Sequence, residues 1–158
     1  MLRKTRLIEV PGELSVIDLL PRLKGFDVVV VDVDNTLVPD AAPAWMLEVR
    51  LEELRTVSRQ CGISRTLVVS NGSRSRATGS DGVVWQVNKP WTRAERLRIS
   101  KHEAVAVVGD RLLPDGLLAW RWGADFYLIV NREVLPSGVS RRFAALARRW
   151  LFAERPLG

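Results

Sequence analysis

The stretch VVVVDVDNTLVP, Val28 to Pro39, limits the folds open to this chain more than any other. Four consecutive valines are apolar on both sides of the backbone. A strand with one wet face has no use for that pattern, whereas a strand of a parallel sheet, covered on both faces, requires it. The run then ends in two carboxylates, Asp32 and Asp34, separated by Val33. Residues two apart on a strand point to the same side, so the two charges start close together. Like charges held together in a buried place cost stability unless a cation stands near them.

The rest of the chain repeats the first half of that pattern. Val28–Val33, Thr66–Val69, Val83–Gln86, Ala104–Val108 and Phe126–Val130 read as short, valine-rich strands bounded by turn residues. Between them Pro43–Gln60 reads as a helix. Its Ala44, Leu47, Leu51 and Leu54 recur at three, four and three residues, which suits one helical face. Trp91–Ser100 and Leu117–Trp122 read as shorter helices. Apolar strands alternating with helices predict an α/β fold, a doubly wound parallel sheet of Rossmann-like type, in one domain over residues 1–158.

Sheets of this kind place ligands at the carboxyl ends of their strands. The polar signals stand at those ends: DVDNT, then Ser70-Asn71-Gly72, Asn88-Lys89-Pro90 and Gly109-Asp110-Arg111. The segment Ser73–Gly82, SRSRATGSDG, is a poor helix former and reads as a loop carrying Arg74 and Arg76. It is either a loop beside the site or a solvated surface loop.

Composition removes several classes of chemistry. Cys61 is the only cysteine, so no internal disulfide and no cysteine-based zinc site is available. His102 is the only histidine, lies between Lys101 and Glu103, and reads as a surface residue; no serine is marked as its partner. No apolar run is long enough to span a membrane, and the basic N-terminus lacks an apolar signal core, so a cytoplasmic protein is expected. The net charge of +6 suits an anionic partner: nucleic acid, acidic lipid or a phosphorylated substrate.

Asp32, Asp34, Asp110 and Asp115 offer hard oxygen donors without histidine or cysteine, a set that suits Mg²⁺. DVDNTLVPD has neither the glycine nor the distal glutamate of an EF-hand. Beside the acids stand groups that bind phosphate: the Ser70 hydroxyl, backbone N–H groups around Asn71 and Gly72, and the Lys89 ammonium. A carboxylate nucleophile, magnesium and a cationic clamp together point to phosphoryl transfer through an aspartyl-phosphate.

DVDNTL, SNG, KP and GDRLLPDG resemble, in order, the four motifs of the haloacid dehalogenase superfamily of phosphatases. The wording DxDNTLVP, VNKP and VGDRLLPD, with an arginine-rich C-terminus, is similar more narrowly to its class IIIA, YqeG-like members, over about Leu20 to Leu151. The resemblance implies that Asp32 attacks phosphorus. Asp34 protonates the leaving oxygen, then activates water, and lends its backbone carbonyl to magnesium. Asp32 and Asp110 complete the protein ligands, and Asp115 ligates the ion or orients its water. Ser70 and Lys89 hold the phosphoryl oxygens. A carboxylate at Asp34 argues against a true dehalogenase. Two departures stand out: a short Ser70–Lys89 interval, implying a stunted second crossover, and Pro114 and Gly116 flanking Asp115. The short first crossover leaves little room for the cap domain that many superfamily members insert there, so an open, uncapped site is expected.

VSRRFAALARRWLFA, Val139–Ala153, reads as an amphipathic helix over about 138–153. Val139, Phe143, Leu146 and Trp150 form its apolar face, Arg142 and Arg149 flank it, and Arg141 and Arg148 fall opposite. Such a helix covers a sheet face or lies in an anionic membrane surface, as a peripheral contact on the inner leaflet. The YqeG-like resemblance includes phosphatases of phosphatidylglycerophosphate, an anionic lipid, and Trp85 and Trp91 would suit such a substrate. A phosphatase of soluble metabolites or phosphoproteins is the alternative. A basic nucleic-acid-binding module with a vestigial site is the alternative of another class, disfavoured because a polyanion-binding surface gains nothing from clustered aspartates.

Overall fold

The computed structural model describes residues 5–72, 84–130 and 138–157, with backbone only at 138–141, 143 and 144. The chain forms strand β1 (Thr5–Pro11), helix α1 (Val16–Leu19), β2 (Val28–Asp32), α2 (Ala44–Gln60), β3 (Arg65–Ser70) and β4 (Val84–Gln86). There follow β5 (Val105–Gly109), α3 (Leu117–Trp122), β6 (Asp125–Val130), α4 (Gly138–Leu151) and β7 (Phe152–Arg155). The strands make one seven-stranded sheet in the order β4-β3-β2-β5-β6-β1-β7. Every pairing is parallel. The expected α/β fold with a parallel sheet is therefore present, and its strand order is compatible with a Rossmann-like architecture. No described helix is long and apolar enough to cross a membrane.

The four valines show why. All are buried, and they alternate between two cores. Val29 and Val31 join the core under α1 and α2, with Leu47, Leu51 and Leu54. Val28 and Val30 join the core on the opposite face, with Ala119, Phe126 and Phe152. A strand between two helical layers has no polar side to offer, so only its tip can carry charge. Between β2 and β3 the chain holds a turn and α2, with no inserted domain.

The connections from β2 and from β5 lead to opposite sides of the sheet, since β3 and β4 lie beyond β2 while β6 lies beyond β5. The carboxyl ends of β2 and β5 therefore flank the crevice where strand order reverses. Open α/β sheets hold their ligands in that crevice.

Several sequence expectations need correction. Thr5–Pro11 forms a strand because Thr5, Leu7, Ile8 and Val10 are buried between β6 and β7. Trp91–Ser100 is not a helix. One 3₁₀ turn, Ala94–Leu97, ends at Arg98, whose φ of 57° is left-handed. The last helix stops at Leu151 and not at Ala153, because Phe152 enters β7, pairs with Thr5 and packs against the Phe126 ring at 6.3 Å. Ala44 is exposed, leaving Leu47, Leu51 and Leu54 as the buried face of α2. In α4, Ala147 and Leu151 pack on the core while Leu146 and Trp150 are exposed. Arg148 is not solvated opposite them; it pairs with Glu9 and Glu154. Val139, Arg141 and Phe143, and the loop Ser73–Gly82, lie outside the described side chains. His102 is exposed and Cys61 packs on the first core, both as expected.

Phe126 is fully buried on β6 and packs against the Phe152 ring on β7. Phe126→Ala should cost about 3–5 kcal/mol in urea unfolding. Trp45→Ala, at an exposed position on α2, should stay within about 0.5 kcal/mol of the parent. Equal losses in the two variants would contradict this packing.

Candidate functional site

Asp32 is the last residue of β2 and is buried. Strand alternation turns it to the side of Val28 and Val30, toward the layer that carries Asp115. Just beyond it the chain reverses. The Val33 carbonyl accepts from the backbone N–H groups of Leu37 and Val38 at 3.0 and 3.1 Å. Asn35 sits at φ 55°, a conformation asparagine tolerates, and its Oδ1 accepts from the Asp40 N–H at 3.1 Å. Leu37 and Val38 return to the core. The turn thus leaves Asp34 at the strand tip while anchoring both flanks.

β5 supplies the second carboxylate. Val31 pairs with Val108, so Gly109 lies beside Asp32 and Asp110 follows it. The Asp110 side chain is buried, 3.9 Å from Arg111 Nε. Asp115 arrives on a wide π-helical turn, Leu112–Gly116, whose Arg111 carbonyl accepts from the Asp115 and Gly116 N–H groups. Asp115 is 1% exposed, and its Oδ2 accepts from the Arg111 N–H at 3.2 Å.

Two glycines make that turn possible. A Cβ at Gly109 would stand 2.5 Å from Asp115 Cγ, so the missing side chain is the space Asp115 fills. A Cβ at Gly116 would meet the Phe126 and Phe152 rings at 3.1 Å. Gly116 beside Asp115 is therefore required by the packing. Sequence reading missed Asp40, and it placed Gly109 and Arg111 at the strand end without giving either a role in the site. The glycine before Asp110 was visible, but which residue would occupy its empty side was not.

Lys89 comes from the segment after β4. Its backbone N–H donates to Asn71 Oδ1 at 2.9 Å, so Asn71 positions the lysine segment. The Asn88 N–H donates to Thr92 Oγ1 at 2.8 Å, and Trp122 Nε1–H donates to the Thr92 carbonyl at 3.0 Å. The buried ammonium then bridges Asp32 and Asp115. Ser70, also buried, ends β3, and its Oγ accepts from the Gly72 N–H at 3.1 Å. Trp85 packs on the core, whereas Trp91 is exposed under Arg121.

Asp32, Asp34, Asn71, Lys89, Asp110 and Asp115 all line one cavity of about 90 Å³, with Asp40, Arg111 and Pro114 at its walls. Ser70 does not line it. Pockets that enclose a metabolite run to about 300–1,000 Å³, so this cavity takes one small group and leaves the remainder outside. A larger cavity of about 340 Å³, lined by Leu7, Glu9, Arg148, Glu154, Arg155 and Pro156, lies by β1 and β7. Its two acids are already paired with Arg148, so it lacks the chemistry of the first.

Carboxylate oxygens of Asp32, Asp110 and Asp115 lie within 4.8 Å of one another. Burial, and next the Asp115 charge, push Asp32 up to about 6 against the pull of Lys89. Burial also raises Asp110, with Asp32 adding to it, and raises Asp115 despite Lys89. Burial works against the Lys89 charge, yet Asp115 and Asp32 outweigh it and hold the ammonium above its usual value. Burial is the main reason the acids rise, with neighbouring carboxylates adding to it, and those same carboxylates raise the amine. Five carboxylates and two cations line the cavity, in a chain of net charge +6. An all-oxygen donor set with surplus negative charge fits a hard divalent cation such as Mg²⁺. The side chains of Asp32, Asp110 and Asp115 form the compact ligand set; Asp34 lines the cavity without belonging to that trio.

No protein-family model, curated protein or solved structure matches the chain significantly.

A group raised on folding stabilises the protein below its unfolded value and loses that effect as pH rises through its folded value. In chelator, the Asp32 contribution should therefore decline between about pH 4 and pH 6. Melting temperatures of the parent and Asp32→Asn across that range should diverge, with the variant the more stable above pH 6. Parallel profiles would show that the Asp32 carboxyl is not under this stress.

Proposed function

We propose that the chain is a magnesium-dependent phosphomonoester hydrolase of the haloacid dehalogenase type, working through an aspartyl-phosphate on Asp32. One observation carries the reading. Three buried carboxylates with oxygens within 4.8 Å of one another, bridged by a buried lysine, stand at the crevice between β2 and β5. Clustered charge of this kind is expensive in a fold that has no structural need of it. The four-motif resemblance points to the same residues.

Asp32, Asp110 and Asp115 would hold the ion, with the Asp34 backbone carbonyl as the resemblance implies. When bound, Mg²⁺ supplies neutralising charge for the phosphoryl oxygens and for the surplus of the cluster. Asp32 is the nucleophile: one carboxylate oxygen forms a bond to phosphorus as the ester P–O bond breaks. The leaving oxygen takes its proton from Asp34. Water then attacks phosphorus and gives a proton back to Asp34, the P–O bond to Asp32 breaks, and orthophosphate leaves with the Asp32 carboxylate restored. The Lys89 ammonium holds Asp32 in place and offsets charge on the transferring group. Asn71, which lines the cavity, is the other assigned phosphate contact, whereas Ser70 lies outside the cavity and its Oγ holds the Gly72 N–H.

The small cavity and the absence of an inserted domain between β2 and β3 favour a substrate whose body stays outside the cleft. A phosphorylated lipid such as phosphatidylglycerophosphate meets that condition, as does a phosphoprotein. The acidic lining disfavours nucleic acid at this cleft.

A panel of lipid, sugar, nucleotide and protein phosphomonoesters with Mg²⁺ tests the activity. Chelation should abolish turnover, and Ca²⁺ should inhibit because its looser coordination misplaces the carboxylates. Asp32→Asn should lose about a thousandfold or more in kcat, and Asp34→Asn about a hundredfold or more. Gly109→Ala should displace Asp115 and lose about a hundredfold while the fold persists. Undiminished hydrolysis by Asp32→Asn, or in chelator, would refute the assignment.

A further inference from the structure

α4 is docked by one stripe and apolar on another. Ala147 and Leu151 pack on the core, and Arg148 is tied to Glu9 and Glu154. Leu146 and Trp150, one turn apart, remain 56% and 71% exposed. At about 100° per residue, Arg149, Arg142, Leu146 and Trp150 fall within an arc of about 100° on the side away from Leu151. Arg142 and Arg149 are both exposed and form no ion pair among the described residues. The outer surface of the helix therefore carries a large aromatic and a leucine beside these two exposed guanidinium groups. The helix contains no acidic residue.

Burial in the protein does not explain this face, because the core is served by other residues. An exposed tryptophan alone does not mark the face, since Trp45 on α2 is 62% exposed, but here Leu146 and Trp150 adjoin each other beside two arginines. A second aromatic–arginine pair stands in the same helical layer: Trp91 is 66% exposed, with the Arg121 guanidinium 5.4 Å from its ring centroid. Arg121 lies on α3, whose Ala119 packs in the same core as Ala147 and Leu151.

We propose that the outer face of α4 docks on an anionic lipid surface, with Leu146 and Trp150 entering the headgroup boundary and Arg142 and Arg149 meeting acidic headgroups. Tryptophan has an apolar ring and a polar N–H, which suits that boundary, and arginine gains by its negative potential. A second copy of the chain fits poorly. Apposing two such faces brings unpaired arginines together, and α4 offers no acid to meet them. The proposal rests on the helix surface and not on the phosphatase reading.

The test is co-sedimentation of the full chain with phosphatidylcholine vesicles, with and without phosphatidylglycerol. Binding is expected to the anionic vesicles and to weaken with salt. Arg142→Gln with Arg149→Gln should lower the partition coefficient by about fivefold per arginine. Leu146→Ser with Trp150→Ser should lower it by about tenfold or more. Both double variants should keep the parent's circular dichroism and melting temperature, since all four side chains are exposed. Equal binding of parent and variants overturns the proposal. So does a dimer on size exclusion that Leu146→Ser with Trp150→Ser converts to monomer. Retention on duplex DNA without vesicle binding overturns it as well.

Discussion

The Lys89 ammonium, bridging Asp32 and Asp115, is the interaction around which the rest of the cleft is arranged. It joins the tip of β2 to the turn after β5 through a segment that starts beyond β4, so three distant stretches meet at one buried charge. A lone lysine in that position would be costly, and so would the carboxylates without it. Burial holds the three acids above their usual values, while Asp115 and Asp32 hold the ammonium above its own, and three carboxylates against one ammonium leave a surplus of negative charge. A cation is what relieves such a surplus, and the fold supplies the donors to hold one.

The parallel sheet makes the arrangement affordable. Val28 to Val31 send alternate side chains into two cores, so β2 is rigid and its end is fixed to the frame of the whole domain. Gly109 gives up its side chain so that Asp115 can stand beside Asp32. Asn71 holds the lysine segment from the end of β3. Each device acts at a strand end, where side chains from neighbouring strands converge without breaking the ladder beneath.

Much of this was legible in the residues. The all-apolar run at Val28–Val31 required a doubly covered strand, and the polar groups after each run marked one edge. Asp32, Asp34, Asn71, Lys89, Asp110 and Asp115 all reach the same cavity. What escaped depended on tertiary partners. β1 alternates Arg6 and Glu9 with apolar residues and looks like a basic tail until β6 and β7 pair with it. Trp91–Ser100 has helical composition, but hydrogen bonds at Asn88–Thr92 and the left-handed Arg98 hold it otherwise. The orientation of α4 could not be read from periodicity alone. Leu146 and Trp150 face outward, while Ala147 and Leu151 meet the core.

The central claim is that phosphate passes through Asp32 on its way to water. The stereochemical course at phosphorus decides it. A phosphomonoester made chiral with oxygen isotopes and sulfur should be hydrolysed with net retention, because two successive in-line displacements each invert the centre. Net inversion would mean that water attacks the ester directly, with no covalent intermediate on Asp32, and would contradict the account.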